Sequence, residues 1–172
     1  MIEVRPARKE ELSLLRKVAI ETFIETFAEF NTPENMEAVL KEAYDADTLE
    51  REWREEGSVC YLAWEGNNLI GFVRLRLNDE AEDRLGKNTI ELQRLYVHPA
   101  HQGKKTGSLL MKRVVDYSSK QGYDWIWLGV WERNYKAQEF YAKWGFERFS
   151  EHTFQMGDDP QVDWLLRKRV NR

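Results

Sequence analysis

Between Glu91 and Ser108 the sequence reads ELQRLYVHPAHQGKKTGS: strand-forming residues run out into a basic, glycine-bearing loop, and a helical pattern follows at once. Such a junction can hold a phosphate. The first amides of a helix lack internal acceptors and stand at the positive end of its dipole, so an anionic group placed there gains hydrogen bonds and field together. Gly103 and Gly107 let the backbone approach a ligand closely, and Lys104 and Lys105 add positive charge. A nucleoside-triphosphate loop is excluded, because it needs glycine where His98 stands and serine or threonine where Lys105 stands. Loop glycines beside a helix also serve merely to turn the chain, so these residue types alone leave both readings open.

A second segment bears on the choice. Trp125 to Val130 reads as another buried strand, followed by Asn134, Ala137, Phe140, Tyr141, Gly145 and Phe146 in the order N-x-x-A-x-x-F-Y-x-x-x-G-F. Taken together, the two segments resemble the Gcn5-related N-acetyltransferase (GNAT) family, which pairs Q/R-x-x-G-x-G/A with such a downstream helix. The resemblance implies acetyl-CoA as cosubstrate, with its pyrophosphate on Gln102, Gly103, Lys104, Lys105, Thr106, Gly107 and Ser108. It further implies that Leu95, Tyr96 and Val97 splay from the next strand and bond the pantetheine arm, that an amide near Val97 faces the acetyl oxygen, and that Asn134 bonds the cofactor from the other side. Tyr141 is then the expected acid for the departing thiolate; an ordinary phenol, with pKa about 10, is protonated at neutral pH.

One position departs from the family pattern. Lys105 stands where a glycine is expected, three residues after Gln102. A side chain there is tolerable at negative φ and costs about 1 kcal/mol or more at positive φ. The expected base is Glu91, eleven residues before Gln102, at an offset where some family members carry a catalytic glutamate. The same carboxylate can instead pair with Arg74 or Arg94 across the sheet.

The acceptor is expected against the first two helices. Glu21-Thr22-Phe23-Ile24-Glu25-Thr26-Phe27, then Asn31-Thr32-Pro33-Glu34-Asn35-Met36, and later Trp127-Leu128-Gly129-Val130-Trp131-Glu132, look like the PaiA-type polyamine acetyltransferases. From Glu21 to Glu56 twelve acidic residues face three basic ones, whereas His98 to Gln121 carries five basic residues and Asp116 alone. An acidic wall suits a small cationic amine such as spermidine or spermine, with Glu25 and Asn31 as expected contacts. The alternatives are acetylation of protein or peptide amino groups, and a non-catalytic acetyl-CoA-binding regulatory domain.

These residues need a scaffold, and the chain reads as one domain over residues 1–172. A strand at Ile2 to Arg5 precedes a helix from Lys9 to Phe27, a second helix opened by Thr32-Pro33 and running to Tyr44, and a third near Asp47 to Gly57. Strands Val59 to Trp64 and Leu69 to Leu77 flank a hairpin turn; Asn78 to Asn88 reads as a mobile polar loop. Strand Thr89 to Val97, helix Thr106 to Gln121, strand Trp125 to Val130 and helix Tyr135 to Trp144 imply a parallel pair with a right-handed crossover. Strands Phe149 to Met156 and Val162 to Arg169 finish the chain. The expected class is α/β: a mixed central sheet of about six to seven strands flanked by about four to five helices.

Composition closes off other classes. At 42% hydrophobic and 13% aromatic residues the chain can bury a substantial core, which argues against disorder. A net charge of −4 without a basic, aromatic-interleaved stripe disfavours nucleic acid. There is neither an apolar run of membrane-spanning length nor a signal-peptide pattern, so a cytoplasmic location is expected. Cys60 is the only cysteine, so an internal disulfide is impossible, and its apolar neighbours suggest a packing role. His98, His101 and His152 are too scattered to suggest a metal. Pairing of two copies into a homodimer through the carboxyl-terminal strands is a further expectation.

Overall fold

The computed structural model describes residues 1–170 and is built on a seven-stranded sheet in the order β1-β2-β3-β4-β5-β7-β6. Its strands are β1 (Ile2–Pro6), β2 (Val59–Glu65), β3 (Asn68–Arg76), β4 (Thr89–Val97), β5 (Trp125–Trp131), β6 (Glu147–Met156) and β7 (Asp159–Arg169). The helices are α1 (Leu12–Phe27), α2 (Pro33–Ala43), α3 (Ala46–Arg54), a single turn α4 (Glu82–Leu85), α5 (Thr106–Gln121) and α6 (Tyr135–Lys143). Every neighbouring pair of strands is antiparallel except β4 and β5. This is the mixed α/β architecture expected from the sequence.

Each face of the sheet buries its own layer. On one, Leu110, Met111 and Val114 of α5 pack with Ile90, Leu92, Ile126 and Leu128 of the central strands. On the other, Leu15, Val18, Ala19 and Phe23 of α1 pack with Met36, Val39 and Leu49 of α2 and α3 against Leu62 and Phe72. Cys60 packs at the edge of that second layer, and burial pushes its thiol up to about 12, which makes it inert.

Three local sequence features set the frame. Thr32 caps α2 by accepting from the Asn35 amide at 3.2 Å, with Pro33 in the first helical position. In α3, Asp45 rather than Asp47 is the residue before the helix, and it makes no side-chain cap. Residues 78–88 differ from the mobile loop expected. They form a tight turn at Asp79–Ala81 that runs into α4, and Ala81 and Leu85 are buried against Trp127 and Leu165. Two apolar side chains four apart suffice to pin one helical turn to the sheet.

The feature that opens the site lies in β4. Its register against β3 shifts between Arg74 and Leu75, so that Leu92 faces Leu75 and Arg94 faces Arg74, with Gln93 as the extra residue. Such a bulge bends and twists its strand. β4 pairs with β5 only from Thr89 to Glu91, and from Leu92 onward the two strands part.

Candidate active site

Where β4 and β5 separate, a cleft of about 620 Å³ opens, and Leu95, Tyr96 and Val97 line one wall with Gly129, Val130 and Trp131 opposite. On that side β4 has no strand partner beyond Glu91, so its backbone groups face the cleft, where the Val97 carbonyl accepts from Gln102 Nε2 at 3.0 Å. The separation expected at Leu95 to Val97 is present.

At one end of the cleft lies the loop into α5. Leu109 donates the first intrahelical bond, to the Lys105 carbonyl at 3.0 Å, which leaves the amides of Thr106, Gly107 and Ser108 without helical acceptors. Gly103 has φ +82° and Lys105 φ +67°, the latter the one non-glycine residue with positive φ among the described residues. Lys105 thus occupies the left-handed conformation for which the family pattern keeps a glycine, and it carries the corresponding strain. Gln102, Gly103, Lys105, Thr106, Gly107 and Ser108 all line the cleft. Lys104 does not: its Nζ lies 4.0 Å from Glu65 Oε2, so its side chain turns away. Lys136, which sequence reasoning passed over, bonds Gln102 Oε1 from α6 and brings a further positive charge to this end. Its only sequence signal is a basic residue two places after Asn134.

One orphaned atom tests whether this end fits a phosphate-bearing cosubstrate. The Thr106 hydroxyl is buried with no protein partner, at the first position of α5 and within the cleft lining. A buried hydroxyl without a partner is costly, and an anionic oxygen beside the free amides satisfies it. The donor set here, amides and hydroxyl with ammonium groups nearby, matches the diphosphate of coenzyme A.

Across the cleft, Asn134 caps α6 by accepting from the Ala137 amide at 3.3 Å. Its NH₂ group has no protein partner among the described residues and is free to bond a cleft ligand. Tyr141, two turns into α6, lines the cleft and is 7% exposed, its ring edge-on to Phe140 and Phe146. Burial alone raises its pKa above the ordinary phenol value, so its hydroxyl stays protonated at every physiological pH. Tyr96 is raised as well, chiefly by burial.

The acceptor side departs from expectation at two residues. Glu91, expected as base, is almost fully buried and is held by Arg76, its partner across β3, with Asn78 Nδ2 donating to it at 3.0 Å. It is absent from the cleft lining. Arg74 and Arg94, the partners considered for it, are instead claimed by Glu52, at 3.4 and 2.7 Å. Asn31 is likewise committed to structure. Its Nδ2 donates to the Phe27 carbonyl at 2.8 Å, closing the end of α1, and its Oδ1 accepts from Gln161 at 2.7 Å. It faces the groove between α1 and α2, away from the cleft. Glu25 does line the cleft, with His98 Nδ1 3.8 Å from its carboxylate and Glu21 2.8 Å from His98 Nε2. Phe27, which meets Trp131 at 6.1 Å between ring centroids, adds an aromatic edge. No group of histidine, cysteine or carboxylate residues among the described residues is arranged to hold a metal.

Similarity to known proteins agrees with this geometry. The sequence profile of the Acetyltransferase (GNAT) family matches residues 21–146. An uncharacterized N-acetyltransferase of Lactobacillus delbrueckii is 34% identical over 176 residues, covering 99% of both chains. A spermidine N(1)-acetyltransferase of Thermoplasma acidophilum is 31% identical over 85% of this chain and 88% of its own length. The crystal structure of the PaiA N-acetyltransferase of Thermoplasma acidophilum in complex with coenzyme A superposes with a TM-score of 0.81 at 28% identity, over 98% of this chain and 99% of that one. A parted β4–β5 pair ending in free helix amides, an orphaned hydroxyl beside them and a family match across the whole site converge: this chain belongs to the GNAT family and is an acetyl-CoA-dependent N-acetyltransferase.

Proposed function

We propose that the acceptor is a primary amine of a small polyamine such as spermidine, which attacks the acetyl carbon directly. The observation that carries this reading is the carboxylate of Glu25 in the cleft wall, with Glu21 beside it across His98. A flexible cation with several ammonium groups gains a charge-assisted hydrogen bond there while one amine reaches the acetyl group. The likeness to the Thermoplasma spermidine acetyltransferase supports the same choice.

In this reading the acetyl oxygen takes the backbone amide of Val97, so charge that develops in the transition state meets a fixed dipole. The new C–N bond forms as the C–S bond breaks, and Tyr141 passes its proton to sulfur and regains one from the acetylated nitrogen. Asn134 and the loop from Gln102 to Ser108 hold the cosubstrate in register with that chemistry.

The experiment is a comparison of initial rates with spermidine, spermine and lysine-containing peptides at fixed acetyl-CoA, read as thiol release with the acetylated product identified by mass spectrometry. Saturable acetylation of spermidine is expected. Acetylation of peptides with spermidine untouched would overturn the polyamine reading in favour of peptide amino groups.

A further inference from the structure

Beside Gly129 lies a chain of three ionisable side chains from three separate elements. His152 of β6 places Nε2 3.2 Å from Asp163 Oδ2 of β7, and Nδ1 at 2.9 and 3.1 Å from the two carboxylate oxygens of Glu80 in the turn after β3. Side-chain exposure rises along it, from 16% at Asp163 through 28% at His152 to 44% at Glu80. One end is nearly enclosed and the other meets water.

The enclosed end abuts the cleft. Gly129 lines the cleft, and a Cβ placed on it would lie 3.3 Å from His152 Nε2 and 3.4 Å from Asp163 Oδ2. With no side chain at Gly129, His152 Nε2 and Asp163 Oδ2 pack directly against its Cα, one backbone away from the cleft that Gly129 lines. Asp163 is also the register partner of Trp131, another cleft residue, and lies near enough to Tyr96 on the opposite wall to raise its phenol pKa.

Acetylation demands a path of this kind. An ammonium and acetyl-CoA give an amide, the coenzyme A thiol and one free proton. The nitrogen must shed one proton before its lone pair can form the C–N bond; a second ends on sulfur when the C–S bond breaks. Tyr141 serves the second. For the first, Glu91 is bound by Arg76 and Glu52 by two arginines, and an arginine does not give up its proton; Glu25 faces the His98 imidazole shared with Glu21 and, in the reading above, holds an ammonium group of the acceptor. Asp163 pairs with the His152 imidazole, which can release a proton where an arginine does not.

We propose that Asp163, His152 and Glu80 form the proton exit for the acceptor amine. Asp163 receives the ammonium beside Gly129 and takes one of its protons, while the charged His152 ring releases its Nδ1 proton to Glu80 and solvent; after product release Asp163 gives up its proton and the ring regains one, so one proton leaves per turnover. Asp163 touches the substrate; His152 and Glu80 position it and carry the proton. The path rests on acetyl transfer to an amine, whichever amine that is.

The charge state of the relay fits this role. The bond to Asp163 first, and then Glu80, raise His152 from 6.5 to about 9 against the opposing effect of its burial. Its ring is therefore charged at neutral pH in the free enzyme, and an ammonium arriving beside Asp163 repels that charge and drives the Nδ1 proton outward. Glu80 and Asp163 are the ionisable groups bonded to the ring, and Tyr96 faces Asp163 from the other wall as a neutral phenol.

The test uses His152→Gln, Asp163→Asn and Glu80→Gln in the full chain, with spermidine as probe, turnover followed from pH 6.5 to 10, and acetyl-CoA KM and melting temperature measured alongside. His152→Gln and Asp163→Asn should each lower kcat about tenfold or more at pH 7.5, with smaller loss in Glu80→Gln and acetyl-CoA KM unchanged. The deficit should narrow toward pH 10, as free amine accumulates in solution, and added imidazole should restore part of the rate to His152→Ala. Unchanged turnover, or a deficit equal at every pH and unmoved by imidazole, would overturn the proposal. A wild-type enzyme inert toward spermidine overturns the polyamine reading instead, and the same readouts with a lysine-containing peptide then decide the relay.

Discussion

Leu109 donates its amide to the carbonyl of Lys105 at 3.0 Å, so α5 begins at a lysine held at φ +67°, where the family pattern keeps glycine. Shape and charge are therefore opposed at one residue. Lys105→Gly relieves a strain of about 1 kcal/mol, offset in part by the greater freedom of glycine in the unfolded chain. We expect equal or slightly greater stability in urea denaturation, by up to about 1 kcal/mol, whereas Lys105→Ala retains the strain and gains nothing. Both variants lose a positive charge beside the diphosphate site, so both should bind acetyl-CoA several-fold more weakly at low salt, a difference that shrinks as salt is raised.

Tyr141→Phe removes the proposed proton donor without disturbing the ring packing against Phe140 and Phe146. Turnover should fall about 10²-fold or more while the KM for acetyl-CoA stays within about twofold. Because burial holds the phenol above its ordinary pKa, its own ionisation should leave no falling limb in the wild-type profile below about pH 10.

Glu91→Gln should act on the fold rather than on chemistry. The change leaves Arg76 facing a neutral amide at a nearly buried position, a loss of about 1–2 kcal/mol once the partial exposure of Arg76 is allowed for. The pH profile of turnover should keep its shape. A displaced profile with unaltered stability would restore Glu91 to the reaction.

Glu25→Gln weakens the wall offered to the acceptor. The carboxylate is partly exposed, so the loss should be a few-fold to about tenfold rise in the KM for spermidine, with little change in that for acetyl-CoA. Steady-state kinetics at two salt concentrations check this, because the difference should narrow at high salt.

Stability should carry the mark of His152. Its pKa is raised from 6.5 to about 9 in the folded chain, so its contribution is fully present below about pH 6.5 and is lost as pH rises through 9. Chemical denaturation across that window should show the wild type weakening on the order of 2 kcal/mol more than His152→Gln, less where solvent screens the exposed Glu80 end.

Periodicity and turn chemistry carry much of this architecture. Alternating apolar residues mark β4, and the 3.6-residue spacing of Leu110, Val114 and Tyr117 marks α5, because each element buries one face against the sheet. What escapes such reading is set by contacts between distant segments. The bulge at Gln93 arises from register against β3, and α4 exists because Ala81 and Leu85 meet Trp127 and Leu165. The pairing of Glu91 was foreseeable in kind but not in partner, since only the strand register decides between Arg74, Arg76 and Arg94. Glu80 and His152 are 72 residues apart, and only a sheet that places β6 beyond β7 brings them together beside Gly129.

The central claim is that the free amides at the start of α5 grip a diphosphate and so set the thioester beside Tyr141. A crystal structure with coenzyme A measures this directly. We predict the diphosphate within hydrogen-bonding distance of the amides from Gly103 to Ser108 and of the Thr106 hydroxyl, with sulfur near the Tyr141 phenol. Coenzyme A bound elsewhere, or in this cleft with its diphosphate away from those amides, would contradict it.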